Sequence, residues 1–99
     1  MKKIKFVANW TGEEEFLIAD NLTDNEIKVM IASRNNEYND VMDGGTWSFT
    51  VCDNSGLNSK VYRGVVSSLI KKGYAFVSGK RGDEMFALTD EGKNLFKKE

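Results

Sequence analysis

The sequence has no histidine, no proline and a single cysteine, Cys52. Because imidazole is the commonest metal ligand and the usual general base near neutral pH, its absence argues against structural zinc, histidine-based catalytic triads and most hydrolase designs. A lone cysteine excludes an intramolecular disulfide, and the lack of a basic sequence neighbour favours a buried thiol over a redox sensor. We therefore expect a non-enzymatic protein that uses no metal and no cofactor.

Long hydrophobic runs are also missing. The longest uncharged apolar stretches, residues 16–19 and 29–32, are far shorter than the roughly 20 residues that cross a bilayer. No apolar segment follows the basic residues 2 and 3, so we expect a cytoplasmic protein rather than a secreted or membrane-spanning one. A chain of 99 residues with 40% hydrophobic and 29% charged side chains is typical of one globular domain, here residues 1–99.

Charge is unevenly distributed along the chain. The net charge is −1, yet residues 54–82 contain six bases and no acid. Residues 1–53 contain five bases and ten acids, and residues 83–99 contain three bases and five acids. This segregation predicts one basic surface and at least one acidic surface. The six clustered bases are Lys60, Arg63, Lys71, Lys72, Lys80 and Arg81.

The first half of the sequence predicts a strand pair followed by a helix. Apolar and polar residues roughly alternate over residues 3–10, residues 11 and 12 form a Thr-Gly turn signal, and residues 16–19 are a returning strand or a short helix. We favour a β-hairpin, which makes residues 1–20 an N-terminal β extension.

A capping box marks the start of the first helix. Thr23 and Glu26 have the spacing at which each side chain bonds the other residue's backbone amide, and Leu22 and Ile27 occupy the two hydrophobic staple positions. The following residues have helical spacing, broken only by an arginine, and predict a core helix that ends before the glycines at 44 and 45. These residues are Ile27, Met30, Ile31, Arg34, Tyr38 and Val41.

The segment before residue 58 is ambiguous. Residues 47–52 alternate like a strand, although Thr46 could also cap a short helix, and residues 53–56 read as a turn. From residue 58 or 59 a helix is predicted to run to Lys72, closed by Gly73 as the residue just beyond the helix.

The helix over residues 58–72 is amphipathic. At 100° per residue, Val65, Val66 and Leu69 lie within about 60° of Tyr62 and form the buried face. The opposite face, between about 100° and 200° from Tyr62, is basic, hydroxylated and in one place bare of side chain. It holds Lys60, Arg63, Gly64, Ser67 and Lys71.

The C-terminal part predicts a hairpin and a helix. Residues 74–78 and 85–88 are short strand-like runs joined by the Gly-containing loop 79–84. Thr89 then caps a last helix that we expect to continue through Leu95 and Phe96. The predicted fold class is therefore α+β, with a three-helix core and a C-terminal β-hairpin in addition to the N-terminal one.

Residues 46–96 resemble the winged helix-turn-helix regulators of the MarR-like kind. The resemblance is most specific in Ser68-Leu69-Ile70-Lys71-Lys72-Gly73-Tyr74, followed at hairpin distance by Ala87-Leu88-Thr89-Asp90-Glu91-Gly92. It implies a winged-helix fold in which residues 46–96 supply the helix-turn-helix, the wing and the final helix. It further implies that the helix 58–72 enters the major groove of DNA and that the loop 79–84 contacts the adjacent minor groove or backbone.

The resemblance implies a transcriptional regulator whose partner is double-stranded DNA. Carried over residue by residue, it nominates Ser59, Lys60, Arg63, Ser67 and Lys71 on the helix and Lys80 and Arg81 on the wing. The residue chemistry is compatible with this assignment. Lysines neutralise phosphates, and an arginine near a helix start can donate two hydrogen bonds to guanine. Serines can bond to the DNA backbone and so position the helix on the duplex.

Two other functions and one assembly state stay open at this stage. The acidic first half, with acids at positions 13–15, could serve a winged-helix protein-interaction module or a small inhibitor that binds a basic partner. Asp20 with Glu26 and Lys28 resembles the acid pattern of metal-dependent nucleases, but Glu26 is already required by the capping box. A homodimer is left open.

Overall fold

The computed structural model describes residues 2–8, 12–36, 46–80 and 84–98 as an α+β arrangement of helices and antiparallel strands. This confirms the predicted fold class at that level. No helix in these ranges has the length and apolar character needed to span a membrane. The elements are β1 (Lys3–Val7), β2 (Glu14–Ile18), α1 (Asp24–Asn36), β3 (Thr46–Trp47), α2 (Ser48–Ser55), α3 (Ser59–Lys71), β4 (Ala75–Ser78), β5 (Met85–Leu88), α4 (Asp90–Lys93) and β6 (Phe96–Lys98).

The first sheet joins strands from both ends of the sequence in the order β1-β2-β6. β1 and β2 pair antiparallel, with Lys3 opposite Ile18 at one end and Val7 opposite Glu14 at the other, which confirms the predicted N-terminal hairpin. Gly12, at the predicted turn, has a φ of 73°, a left-handed conformation that favours glycine.

The end of the chain corrects one prediction. The last helix was expected to continue through Leu95 and Phe96, but α4 covers only residues 90–93 and Phe96 begins β6. The reason is tertiary pairing: the backbone amide of Ile18 donates to the carbonyl of Leu95, and Phe96 lies opposite Leu17. In the strand, the Phe96 ring also packs edge-on against another ring of the sheet.

That ring is Phe6, whose centroid lies 5.7 Å from the centroid of Phe96, with the two planes at 78°. Phe6 lies opposite Glu15 and Phe96 lies opposite Leu17, and both of these β2 residues are buried, so this face of the first sheet points to the core. Phe6 and Phe96 are partly buried there, while Leu17 between them is fully buried.

Helix α1 begins with the predicted capping box. The Thr23 amide donates to Glu26 Oε1 at 2.8 Å, and the Glu26 amide donates to the Thr23 hydroxyl at 3.2 Å. The staple residues Leu22 and Ile27 are buried. The predicted continuation through Tyr38 and Val41 lies outside the described residues.

Arg34, which interrupts the apolar spacing of α1, has a structural partner. Its Nε and Nη2 atoms donate to the two carboxylate oxygens of Glu15 at 3.0 and 3.2 Å. Glu15 is buried on β2, so this two-point ion pair attaches α1 to the first sheet. The arginine also lies over the Phe96 ring, with its guanidinium carbon 5.9 Å from the ring centroid.

Helix α2 resolves the ambiguous segment before residue 58. Residues 48–55 are helical, so the turn predicted over residues 53–56 is wrong: residues 53–55 are the last helical turn, and Gly56 is its left-handed cap, with a φ of 77°. The cap position of α2 is Trp47, one residue after the position considered from the sequence, and Trp47 makes no side-chain capping hydrogen bond.

Helix α3 forms as predicted. The Asn58 side chain accepts the Val61 amide at 2.9 Å and starts the helix. At the other end Gly73 has a φ of 82°, and its amide donates to the carbonyl of Ile70. Tyr62, Val66 and Leu69 are the buried residues of the helix.

The second sheet joins β3, which precedes α2, to the two strands that follow α3, in the order β3-β5-β4. Its β4-β5 hairpin matches the strands predicted at residues 74–78 and 85–88, with Ala75 opposite Leu88 and Ser78 opposite Met85. Gly92 holds α4 against the base of this hairpin, because a Cβ atom there would lie 2.1 Å from the carbonyl oxygen of Tyr74. Only glycine fits at that distance.

Candidate nucleic-acid interface

The five helix residues nominated from the sequence lie together on one side of α3. All five are exposed: Ser59, Lys60, Arg63, Ser67 and Lys71. Within the described ranges, none of these side chains forms a hydrogen bond or an ion pair with another residue. No acidic residue occurs in α3, so the helix itself contributes only positive charge to its exposed face.

The buried side of α3 determines which face is presented outward. Leu69 is fully buried, and the Tyr62 hydroxyl lies 2.8 Å from the hydroxyl oxygen of Ser48 on α2. Burial, only partly offset by the Ser48 hydrogen bond, raises the pKa of Tyr62 to about 12, so the phenol is neutral at physiological pH. The contact fixes the rotation of α3 against α2 without using any of the exposed residues.

Lys72 has a structural role that removes it from the set of free bases. Its ammonium group donates to Glu26 at 2.6 Å and to the carbonyl of Asn21 at 2.8 Å. Ser68 donates to the other oxygen of the same carboxylate at 2.6 Å. One of the six clustered bases is therefore used to attach the end of α3 to the start of α1.

An open groove of about 840 Å³ separates α2, α3 and the β4-β5 hairpin. Three of the nominated residues, Ser59, Arg63 and Ser67, line it. Lys60 and Lys71 do not line the groove and are exposed on the outward side of α3. The structure thus divides the nominated helix residues between the groove and its outer rim.

The hairpin contributes the far edge of this groove. Val77 and Gly79 line it, and Lys80 is exposed next to Gly79. Arg81, the second nominated base of the loop, lies outside the described residues. The exposed Lys80 therefore extends the surface that begins on α3.

The structure adds groove residues that the sequence did not nominate. Phe49 on α2 is 61% exposed and stacks on Trp47, with ring centroids 6.2 Å apart, and Ile70 on α3 is 43% exposed. Two acids, Asp53 and Glu84, line the same groove. The groove is consequently mixed in character, with apolar walls and both signs of charge, whereas the charged residues on the outward side of α3, Lys60 and Lys71, are both basic.

Cys52 also lines the groove but lacks the environment of a reactive thiol. Burial, together with the negative charge of Asp53, raises the pKa of Cys52, and the thiol donates a 3.6 Å hydrogen bond to the carbonyl of Leu57. No group of three potential metal-ligating side chains occurs among the residues that the structure describes.

Comparison with solved structures finds a similar fold in a DNA-binding protein. One similar structure is that of Bordetella bronchiseptica BpsR, a protein whose DNA binding is regulated by 6-hydroxynicotinic acid. The TM-score is 0.64 at 23% identity, over 80% of this chain and 53% of BpsR, so this chain spans about half the length of that protein. The likeness establishes the fold. Neither a protein-family model nor a curated protein matches the sequence.

Proposed function

We propose that this protein is a non-enzymatic, winged-helix DNA-binding domain of the MarR-like kind that acts in transcriptional regulation. In this proposal α3 is the recognition helix and the β4-β5 hairpin, with its loop at residues 79–84, is the wing. The observation that carries it is the set of five exposed residues on one side of α3, none of which forms a hydrogen bond or an ion pair within the described part of the chain: Ser59, Lys60, Arg63, Ser67 and Lys71. The fold similarity to BpsR supports the same assignment.

The chemistry of α3 suits a duplex. Arg63 can donate two parallel hydrogen bonds to guanine O6 and N7 in the major groove, a contact that discriminates between bases. Lys60 and Lys71 can neutralise phosphates and release counterions, which provides affinity without sequence preference. Ser59 and Ser67 can donate to phosphate oxygens and set the register of the helix.

The wing extends the same contact. Lys80 follows Gly79, whose φ of 97° turns the chain at the end of β4. A base at this position can reach the phosphate backbone beside the groove that α3 occupies. We assign Arg81 the same role from its place in the sequence.

A second candidate function is docking of a protein on the groove. The exposed rings of Trp47 and Phe49 and the exposed side chain of Ile70 are the kind of aromatic and apolar surface that protein interfaces use. The acids Asp53 and Glu84 would repel phosphates but could bind a basic partner. The two candidates share Ser59, Arg63 and Ser67, which line the groove, whereas Lys60, Lys71 and the wing serve only the DNA proposal.

A titration of the protein into fluorescently labelled mixed-sequence duplex DNA at two salt concentrations tests the main proposal. Contacts to phosphates predict binding that weakens steeply as salt rises. The absence of binding even at low salt would contradict the DNA proposal and favour the protein-docking candidate. A variant with Phe49 changed to Ala provides the matched control, because it should lose protein docking and retain salt-dependent DNA binding.

A further inference from the structure

Gly64 is an interior helical glycine that the fold of this chain does not require. A Cβ atom built at Gly64 meets no atom within 4 Å, and the backbone there has ordinary helical angles. Other glycines in the described part of the chain are required by the backbone conformation or by a close contact. Gly12, Gly56, Gly73 and Gly79 have positive φ, and Gly92 has no room for a side chain.

Glycine at such a position has a cost. In a helix interior it is less favourable than alanine, because the unfolded chain loses more conformational freedom on folding. Alanine at position 64 would fit without any rearrangement within the described part of the chain. The packing that the structure describes therefore gives no reason for glycine at position 64.

The position of Gly64 relates it to the basic face. It lies about 200° from Tyr62 around the helix, close to the middle of the outward side. Lys60 precedes it by one turn, and Lys71 follows it by about two turns. With a rise of 1.5 Å per residue, Lys60 and Lys71 are roughly 16 Å apart along the axis, which compares with a major-groove width of about 12 Å in B-form DNA.

We propose that Gly64 is the point of closest approach between the backbone of α3 and duplex DNA, and that its missing side chain sets how deeply the helix enters the groove. This inference rests on the proposed function of α3 as a recognition helix. In this geometry the two lysines reach phosphates on either side of the groove, while the bare helix backbone at Gly64 faces the base edges.

A series of side chains at position 64 tests the inference. The variants Gly64→Ala and Gly64→Leu should both have melting temperatures roughly 2 to 8 °C above that of the parent, because alanine and leucine have higher helix propensities than glycine. Their affinity for duplex DNA should fall in the order Gly, Ala, Leu. A loss of about tenfold for leucine corresponds to about 1.4 kcal/mol of binding free energy.

Val61→Ala is the matched control. Val61 is an exposed residue of the same helix, and the change improves helix propensity without adding side-chain volume. It should raise the melting temperature and leave DNA affinity within about twofold of the parent, which separates effects of helix stability from effects of volume.

The possible results separate this inference from the function on which it rests. If the parent binds duplex DNA and the Gly64 variants bind it equally well, the close approach at Gly64 is refuted and the DNA proposal stands. If the parent binds no duplex DNA at low salt, both are refuted. A fall in melting temperature for Gly64→Ala would also refute the inference, because it would reveal an internal requirement for glycine.

Discussion

The buried carboxylate of Glu26 accepts a 2.6 Å hydrogen bond from the ammonium group of Lys72, 46 positions later in the sequence. Glu26 is 2% exposed and simultaneously caps α1, so a single side chain starts one helix and holds the end of another. The outward face of α3 depends on this contact, because the contact fixes the end of the helix against α1.

The Glu26 ion pair predicts a pH-dependent stability. Burial raises the pKa of Glu26. The hydrogen bonds from Lys72, Ser68 and the Thr23 amide, together with the charge of Lys72, lower this pKa by more, so the net pKa is below the ordinary value of 4.5. A carboxyl group with a lowered pKa in the folded state stabilises that state above its ordinary pKa and loses the effect as pH falls through the folded-state pKa. Unfolding free energy should therefore decline below about pH 4.5.

The variant Glu26→Gln checks this assignment by chemical denaturation. The unfolding free energy of this variant at pH 7 should be about 1.5 to 3 kcal/mol below that of the parent, which is the range for hydrogen bonds to charged groups. Between pH 5 and pH 3 its unfolding free energy should fall less than that of the parent. Glu91→Gln, at an exposed position of α4, is the control and should behave like the parent. Equal acid sensitivity of the parent and Glu26→Gln would show that other carboxylates dominate.

Reversing the charge of Arg63 should affect binding and not folding. Arg63 is exposed and makes no ion pair with the described residues, so the unfolding free energy of Arg63→Glu should lie within about 0.5 kcal/mol of the parent value. Duplex affinity should fall by about tenfold to a hundredfold or more, as expected for loss of a base contact. Lys28→Glu, an exposed change on α1, supplies the control for net charge. If the two variants bind DNA equally, Arg63 is not in the interface.

Truncation of Leu69 should have the opposite result. The side chain is fully buried in the core, so Leu69→Ala should destabilise the protein by about 2 to 5 kcal/mol. Thermal or urea unfolding provides the measurement. The control is Ile70→Ala, because Ile70 is 43% exposed and its truncation should reduce the unfolding free energy much less. Similar losses for both variants would mean that α3 is rotated from the orientation described.

The loop bases should contribute to affinity through phosphates. Changing Lys80 and Arg81 together to Ala should leave the melting temperature nearly unchanged, because surface substitutions usually lie within about ±0.5 kcal/mol. Each lost phosphate contact should reduce the magnitude of the salt slope by about one, on specific and non-specific duplexes alike. An unchanged slope on DNA that the parent binds would remove the loop from the interface.

Local signals predicted the elements whose determinants are close in sequence. The Thr23–Glu26 capping box and the closure of α3 by Gly73 were readable because each depends on residues a few positions apart. The β4-β5 hairpin was readable from two strand-like runs joined by a short Gly-containing loop.

The elements that were missed or left ambiguous depend on distant partners or lack a strong local signal. Trp47 caps α2 without a side-chain hydrogen bond, so the sequence left a short helix and a strand as alternatives for this segment. Phe96 is in a strand because Leu17, far away in sequence, lies opposite it. The presence of Asp53 and Glu84 in one groove likewise follows from how α2 packs against the hairpin, which spacing alone does not reveal.

The pairing of Glu15 with Lys98 has a consequence for folding kinetics. The N-terminal hairpin can form early from its own turn, but the sheet to which it belongs is complete only when residues 83 positions apart meet. Contacts of such long sequence separation slow folding, because chain entropy is lost before they form. Until then the free edge of β2 offers unpaired backbone groups to other chains, so association of unfolded molecules should compete with folding most strongly at high protein concentration.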